Sequence, residues 1–285
     1  VQTVAGGRTV VGIQQTDEKA ILNWESFNVG RNTTVQFDQK GGAKPDGSNP
    51  WIALNRINDP SGRPSRIAGQ IQADGSVYLI NRNGIVFTGS SQVNTRTLVA
   101  SSLALSDKQF NLGINNAQVF KDATGQANDF AIPQFGAFAS AAPDIYGSYV
   151  PGNGTAPDRL GGVDRFDPGA APGAVQVQAG ARLEVASGGK VMLFAPKVHN
   201  AGRISAPDGQ VILAAGENVF LNTVRNTTAN GTLDANAIRG LDVAAAAAPG
   251  WAMPWAFVSS AIRTGTDPFN PGFVEAIAQH VLPEM

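Results

Sequence analysis

The sequence contains no cysteine, so neither a disulfide framework nor a thiol nucleophile is available to it. That absence suits a reducing compartment. It equally suits a chain that crosses an oxidising periplasm unfolded, where a disulfide would lock it prematurely. Histidine is nearly absent too, with only His199 and His280, which leaves little for a histidine-based triad. Charged residues make up only 15% and the net charge is −1, against the clustered Lys and Arg that a nucleic-acid binder needs. There is no uninterrupted membrane span. The longest apolar stretch, Leu241 to Ile262, carries Asp242 and is broken by Pro249, Gly250 and Pro254, so it reads as packing surface without stable membrane insertion. Val1 opens directly into polar–apolar alternation, so no signal peptide is expected at this start, and the numbering is compatible with a processed or trimmed chain.

What is abundant points to many short strands. Gly (33) and Pro (17) are frequent while the chain is still 42% apolar, which is too apolar for disorder and suits strands joined by tight turns. With 285 residues it can bury a core without metals or disulfides.

An internal repeat defines the architecture. Ile71–Leu79, Leu183–Leu193 and Ile204–Leu213 each read as strand, glycine turn, strand. In the second half, apolar strand starts fall at Val175, Leu183, Val191, Val198, Ile204, Val211 and Val219. Each is related to the strand three places on: Val175 to Val198 by 23 residues, Leu183 to Ile204 by 21, Val191 to Val211 by 20 and Val198 to Val219 by 21. A βαβ unit needs about 30 residues. Three short strands per turn of about 21 residues fit one coil of a parallel β-helix, stacked at about 4.8 Å on the next. An antiparallel sandwich also spaces strands every 8–12 residues, but the threefold period and the lack of an Asn-Gly pair at each turn favour the helix. Gly and Asn are expected to supply left-handed corners, with Asp74 and Asp208 as turn formers beside glycines.

The expected fold is therefore all-β, a right-handed parallel β-helix with a Gly/Pro/aromatic insertion and a non-coil carboxy-terminal cap. Residues 1–120 form the first coils and 121–173 the insertion, whose aromatics (Phe130, Phe135, Phe138, Tyr146, Tyr149, Phe166) argue for packing on the coil. Residues 174–240 form further coils, and 241–285 a cap carrying Trp251, Trp255, Phe257 and a short helix around Phe273–Val281.

Several segments of the first half resemble a known family. They are Lys19–Gly30, Asn55-Arg56-Ile57, Ile67–Ile71, Val77–Phe87, Val93-Asn94-Thr95 and Leu98–Ser101, followed by Gly188–Asn218 in the second half. Within them Asn81-Arg82-Asn83-Gly84-Ile85 resembles the family's Asn-Pro-Asn-Gly-Ile signature, with Arg82 where Pro is usual. Asn49-Pro50-Trp51-Ile52 matches the second motif, Asn-Pro-Asn-Leu, only in part. The family is the filamentous haemagglutinin-type amino-terminal domain, the secretion domain of two-partner secretion exoproteins, and the resemblance covers about 5–115 and 174–222. It implies a secreted or cell-surface protein that binds a cognate outer-membrane β-barrel transporter, threads out unfolded and serves adhesion to a host-surface or neighbouring-cell ligand. Asn49, Pro50, Asn81, Asn83, Gly84 and Ile85 are the expected recognition residues. Asn81, Asn83 and Gly84 equally suit a purely structural turn.

Two other classes remain. A short chain with a capped-looking tail fits a self-associating filament subunit. Carbohydrate-active enzymes also use parallel β-helices, but the acids here (Asp17, Glu18, Asp38, Asp74, Glu184, Asp208, Glu217) are scattered singly, so the chain is read as a non-enzyme. No calcium-loop or metal pattern is present, and no cofactor is expected.

Overall fold

A computed structural model describes residues 1–105, 107–112, 114, 137–139, 172–216, 218–223, 241–246 and 256–258. The chain opens with β1 (Gln2–Ala5) and then winds in coils that visit three sheets, A, B and C, in turn. Coil 1 is β2 (Arg8–Gln14), β3 (Lys19–Trp24) and a bridge at Val29. Coil 2 is β4 (Thr33–Asp38), β5 (Ile52–Ile57) and β6 (Ser65–Ile67), and coil 3 is β7 (Gln70–Ala73), β8 (Ser76–Asn81) and β9 (Ile85–Phe87). Coil 4 begins with β10 (Gln92–Thr95) and β11 (Thr97–Ser101). It then leaves the helix through α1 (Asp107–Leu112) and β12 (Ala137–Ala139) and returns as β13 (Val175–Val177). Coil 5 is β14 (Arg182–Val185), β15 (Lys190–Ala195) and β16 (Val198–Asn200), and coil 6 is β17 (Arg203–Ser205) and β18 (Gln210–Ala215). The last described strands are β19 (Asn218–Thr223), β20 (Leu241–Ala246) and β21 (Ala256–Val258).

Every pairing between coils is parallel, giving the parallel β-helix expected from the repeat. The register is the one the spacing predicts: Val175 pairs with Val198, Leu183 with Ile204, and Val191 with Val211. Inward residues form columns, as in Val35–Ile71–Val93–Leu183–Ile204 of sheet A, all buried. Sheet A alternates because its other face meets water: Gln70, Gln72, Gln92 and Asn94 point out, and Gln70 Nε2 donates to Gln92 Oε1 across coils (3.3 Å). The first strand, β1, runs antiparallel to β2 and covers the open edge of sheet A, a common way to blunt a template for aggregation.

Sheet B is different, because it is buried on both faces. Ala53, Val77, Leu79, Leu98, Val191 and Leu193 face the interior, while Leu54, Tyr78, Ile80, Val99, Met192 and Phe194 face outward into a second apolar cluster. That outer cluster is completed by Leu103, Leu105, Phe110 and Ile114 from the start of the excursion and by Val219 and Leu221 of β19. Val219 therefore does not open another coil. The expected step from Val198 to Val219 fails because β19 pairs antiparallel with β12 and β20 and turns Val219 and Leu221 onto the outside of sheet B.

Arg56 anchors this cover. It projects from β5 on the outward face, and its Nη2 donates to Leu105 O (3.0 Å) and to Asp107 Oδ1 (2.6 Å). The guanidinium is 8% exposed and the carboxylate 36%, so the pair is half screened. Replacing Arg56 with methionine removes both bonds and should cost about 2 kcal/mol in urea unfolding. Asp107→Asn should cost less, because its partner keeps the Leu105 carbonyl.

The corners also correct one expectation. Left-handed backbone is supplied by Gly84, Gly180, Gly188 and, alone among described non-glycine residues, Asp208 (φ 50°). No described asparagine adopts it, because Asn side chains cap the turns by hydrogen bonding instead. Asp74 keeps ordinary φ and accepts the Gln39 N–H (3.4 Å). Most of the 121–173 insertion lies outside the described residues, as do Trp251, Trp255 and the helix expected around Phe273–Val281.

Candidate functional site

Asn81 ends β8 and is fully buried at the corner between sheets B and C. Its Oδ1 accepts the Asn83 N–H (2.9 Å), its carbonyl accepts the Gly84 N–H (2.8 Å), and its Nδ2 donates to Ser65 Oγ (2.9 Å) on coil 2. Asn83 Nδ2 donates to Asp59 O (2.7 Å), again on coil 2. Gly84 is glycine for two reasons. Its φ is +98°, and a Cβ there would lie 2.5 Å from the Ala174 carbonyl. The turn is thus stitched to both neighbouring coils: Ser65 N–H donates to Gly84 O, Ile85 N–H to Ala174 O, and Gly173 N–H to Arg82 O. Asn81, Arg82, Gly84 and Ile85 are buried, and only Asn83 is partly open. Beneath it, hydrogen bonds from Ser61, its side chain first and its backbone N–H second, hold the Asp59 carboxyl below the usual carboxylate range.

Asn81→Ala deletes an acceptor for one N–H and leaves Ser65 without a donor. It should destabilise the folded chain by about 1–3 kcal/mol, read from the shift of the urea midpoint at constant slope.

Asn49 and Pro50 lie elsewhere. Asn49 is 5% exposed, accepts the Trp51 N–H at Oδ1 (3.0 Å) and donates through Nδ2 to Gln39 O (2.9 Å). Gln39, fully buried, bonds onward through Nε2 to Gln15 Oε1 (2.8 Å) and accepts the Gly75 N–H at Oε1 (2.9 Å). Gln15 in turn donates to the carbonyls of Asp17, Glu18 and Ile52. This amide chain ties the sheet A to B corners of coils 1, 2 and 3 together. The departure from the motif at Trp51 has a visible role, because its ring lies over Gly41 and Gly42, where no Cβ would fit.

The structure does not bring the two expected recognition segments together. Ile52 pairs with Ser76 and Ile57 with Asn81, so Asn49-Pro50 sits before one end of sheet B and Asn81–Ile85 beyond the other. A six-residue strand, about 17 Å long, separates them. Gln15, Gln39 and Ser65 were not anticipated as members of these networks. Arg56 carried a signal, a charged residue inside an otherwise apolar strand. His199 is exposed on β16. Among the described residues, no three His, Cys, Asp or Glu side chains are grouped so as to hold a metal ion, and no helix is long and apolar enough to cross a membrane.

Comparison with known proteins agrees with this geometry. The TPS secretion domain family model matches residues 1–157. A heme/hemopexin-binding protein of Haemophilus influenzae is 31% identical over 117 residues, 39% of this chain and 12% of that protein. A second, from Haemophilus influenzae strain Rd, is 34% identical over 90 residues, 32% of this chain and 9% of that protein. The chain thus spans about an eighth or less of these relatives. The crystal structure of the HMW1 secretion domain from Haemophilus influenzae superposes with a TM-score of 0.50 at 22% identity, covering 78% of this chain and 43% of that one, a likeness of fold. Parallel coils, the Asn81–Ile85 turn and a family match over more than half the residues lead to one conclusion: the chain belongs to the TPS secretion domain family, the secretion domains of two-partner secretion exoproteins.

Proposed function

We propose that this domain is read by the periplasmic part of a cognate outer-membrane β-barrel transporter before it folds, and that the exported protein serves adhesion at the cell surface. The supporting observation is the state of the Asn81–Ile85 turn. In the folded chain its backbone groups are bonded to coils 2 and 4 and four of its five residues are buried, so a partner reading them must meet them unfolded. The adjoining run Val77-Tyr78-Leu79-Ile80 is an extended apolar ligand of the kind captured by strand addition. Folding outside then favours outward movement. Each added coil removes apolar surface from water at about 25 cal/mol per Å², a gross gain of several kcal/mol partly offset by chain ordering. The absence of cysteine keeps the threaded chain free of crosslinks. The binding named in the relatives' descriptions belongs to proteins of which this chain spans 12% at most, and no residue described above carries it over.

The test is titration of the transporter's periplasmic modules with urea-unfolded chain rapidly diluted, against prefolded chain. The unfolded chain should bind at least tenfold more tightly, and Asn83→Ala with Ile85→Ala should weaken that binding. Because the ligand is unfolded, lost fold stability does not enter the readout. Equal binding of folded chain, or none by either form, would sink the reading.

A further inference from the structure

One longitudinal edge of the helix, where sheet C turns into sheet A, carries only positive charge. The five chain segments that build it, 26–34, 60–73, 82–95, 172–183 and 196–204, contain no Asp or Glu. They present Arg31, Arg66, Arg182 and Arg203, all exposed. None of the four is in an ion pair among the described residues, where Arg56–Asp107 is the salt bridge seen. Arg31 and Arg66 line one open cleft with Thr88, Ser90 and Gln178, which brings residues of four successive coils to a single surface. Arg182 and Arg203 stand directly opposite each other in the β14–β17 register, a like-charge placement that costs stability unless an anion lies between them. From the corner of Arg31 to that of Arg203 there are four coil steps, about 19 Å at about 4.8 Å each.

Neutral hydrogen-bonding groups flank this edge. Thr34, Gln70, Gln92, Arg182 and Arg203 form one outward column of sheet A, with Thr34 Oγ1 donating to Gln70 Oε1 and Gln70 Nε2 to Gln92 Oε1. The nearest acid on that sheet, Glu184, is two residues along from Arg182.

We propose that this edge is a binding track for an extended acidic polysaccharide running along the helix axis, its sulfates or carboxylates on the arginines and its hydroxyls on the amide column. This rests on the adhesive part of the proposed function and not on transporter recognition. Two observations set this ligand apart from other polyanions. The phenyl rings of the edge, Phe27 and Phe87, are buried in the core, so among its described residues the single imidazole of His199 is the exposed ring, too little for stacking a run of nucleobases. The exposed large apolar side chains among the described residues are Val1 and Val4, two valines on the terminal strand β1 and too small an apolar surface to enter a lipid interface.

The experiment is equilibrium binding of the folded full chain to two probes, heparin for sulfates and polygalacturonate for carboxylates, with oligothymidylate and phosphatidylserine vesicles alongside. Wild type should bind at least one polysaccharide, more weakly as salt rises. Arg31→Gln with Arg66→Gln, and separately Arg182→Gln with Arg203→Gln, should weaken binding about tenfold while circular dichroism stays unchanged. Lys40→Gln with Lys44→Gln, on the opposite corner, should leave it unchanged. Three results would overturn the proposal: no binding to either polysaccharide, arginine variants that bind like wild type, or oligothymidylate or vesicles bound as tightly. None of these outcomes involves export, so they leave transporter recognition separately testable.

Discussion

Replacing Gly189 with valine should cost about 3 kcal/mol or more and broaden or abolish cooperative unfolding, whereas Gly188→Ala next to it should cost about 1 kcal/mol. The two glycines face different constraints. Gly188 has φ +74° with open space around it, so a side chain meets only the left-handed backbone penalty. A Cβ on Gly189 would lie 1.9 Å from Arg96 O of coil 4 and 2.8 Å from Ala186 O, both backbone atoms that no rotamer change can move aside. The clash recurs up the stack, since a Cβ on Gly209 would meet Gly189 O at 1.8 Å and one on Gly75 would meet Trp51 O at 2.5 Å. Register explains it, because Ser76, Thr97, Lys190 and Gln210 stack and the residues just before them turn the same corner. Urea unfolding followed by circular dichroism separates the two variants. Equal losses would mean that backbone conformation, not coil stacking, fixes these glycines.

The second large effect concerns a core outside the helix. Phe194→Ala, facing outward from sheet B, should destabilise by about 3–5 kcal/mol, as much as Phe87→Ala on the inward face of sheet C. Both side chains are fully buried, Phe87 among Ile67, Ile85 and Val177, and Phe194 beneath the cover that begins with Leu103 and Leu105. A helix with an interior core alone would lose under about 0.5 kcal/mol from an outward substitution. Calorimetric and denaturant melts of the two variants therefore measure whether the outer cover is part of the cooperative unit.

The coil stack was legible because its signal is arithmetic. Strands at Val175, Leu183 and Val191 recur one coil later at the spacing their register requires, and sheet A alternates cleanly because one face is wet. The outer core leaves a fainter mark in the sequence. Val77-Tyr78-Leu79-Ile80 and Val191–Ala195 are unbroken apolar runs, the pattern of a parallel strand buried on both faces, but the runs do not name what covers the second face. Val219 keeps coil spacing from Val198, yet it lies on β19, whose antiparallel pairing places it in the cluster outside sheet B, and spacing alone does not separate the two. The candidate turn was readable as a turn but not as a knot between coils. Nothing in the residues Asn81-Arg82-Asn83-Gly84 names Ser65, Asp59 or Ala174 as partners, since those contacts exist only once three coils are stacked. The separation of Asn49 from Asn81 was hidden likewise, for a linear reading gives order along the chain and not which end of a sheet each corner occupies.

We propose that this secretion domain is carried across the outer membrane by its own transporter. The most direct measurement is its distribution between periplasm and culture medium in cells that export it to the periplasm, with and without the cognate transporter. Folded chain is expected in the medium only when the transporter is present, with the Asn83→Ala, Ile85→Ala variant retained in the periplasm. Chain reaching the medium equally in both strains, or remaining periplasmic in both, would contradict it.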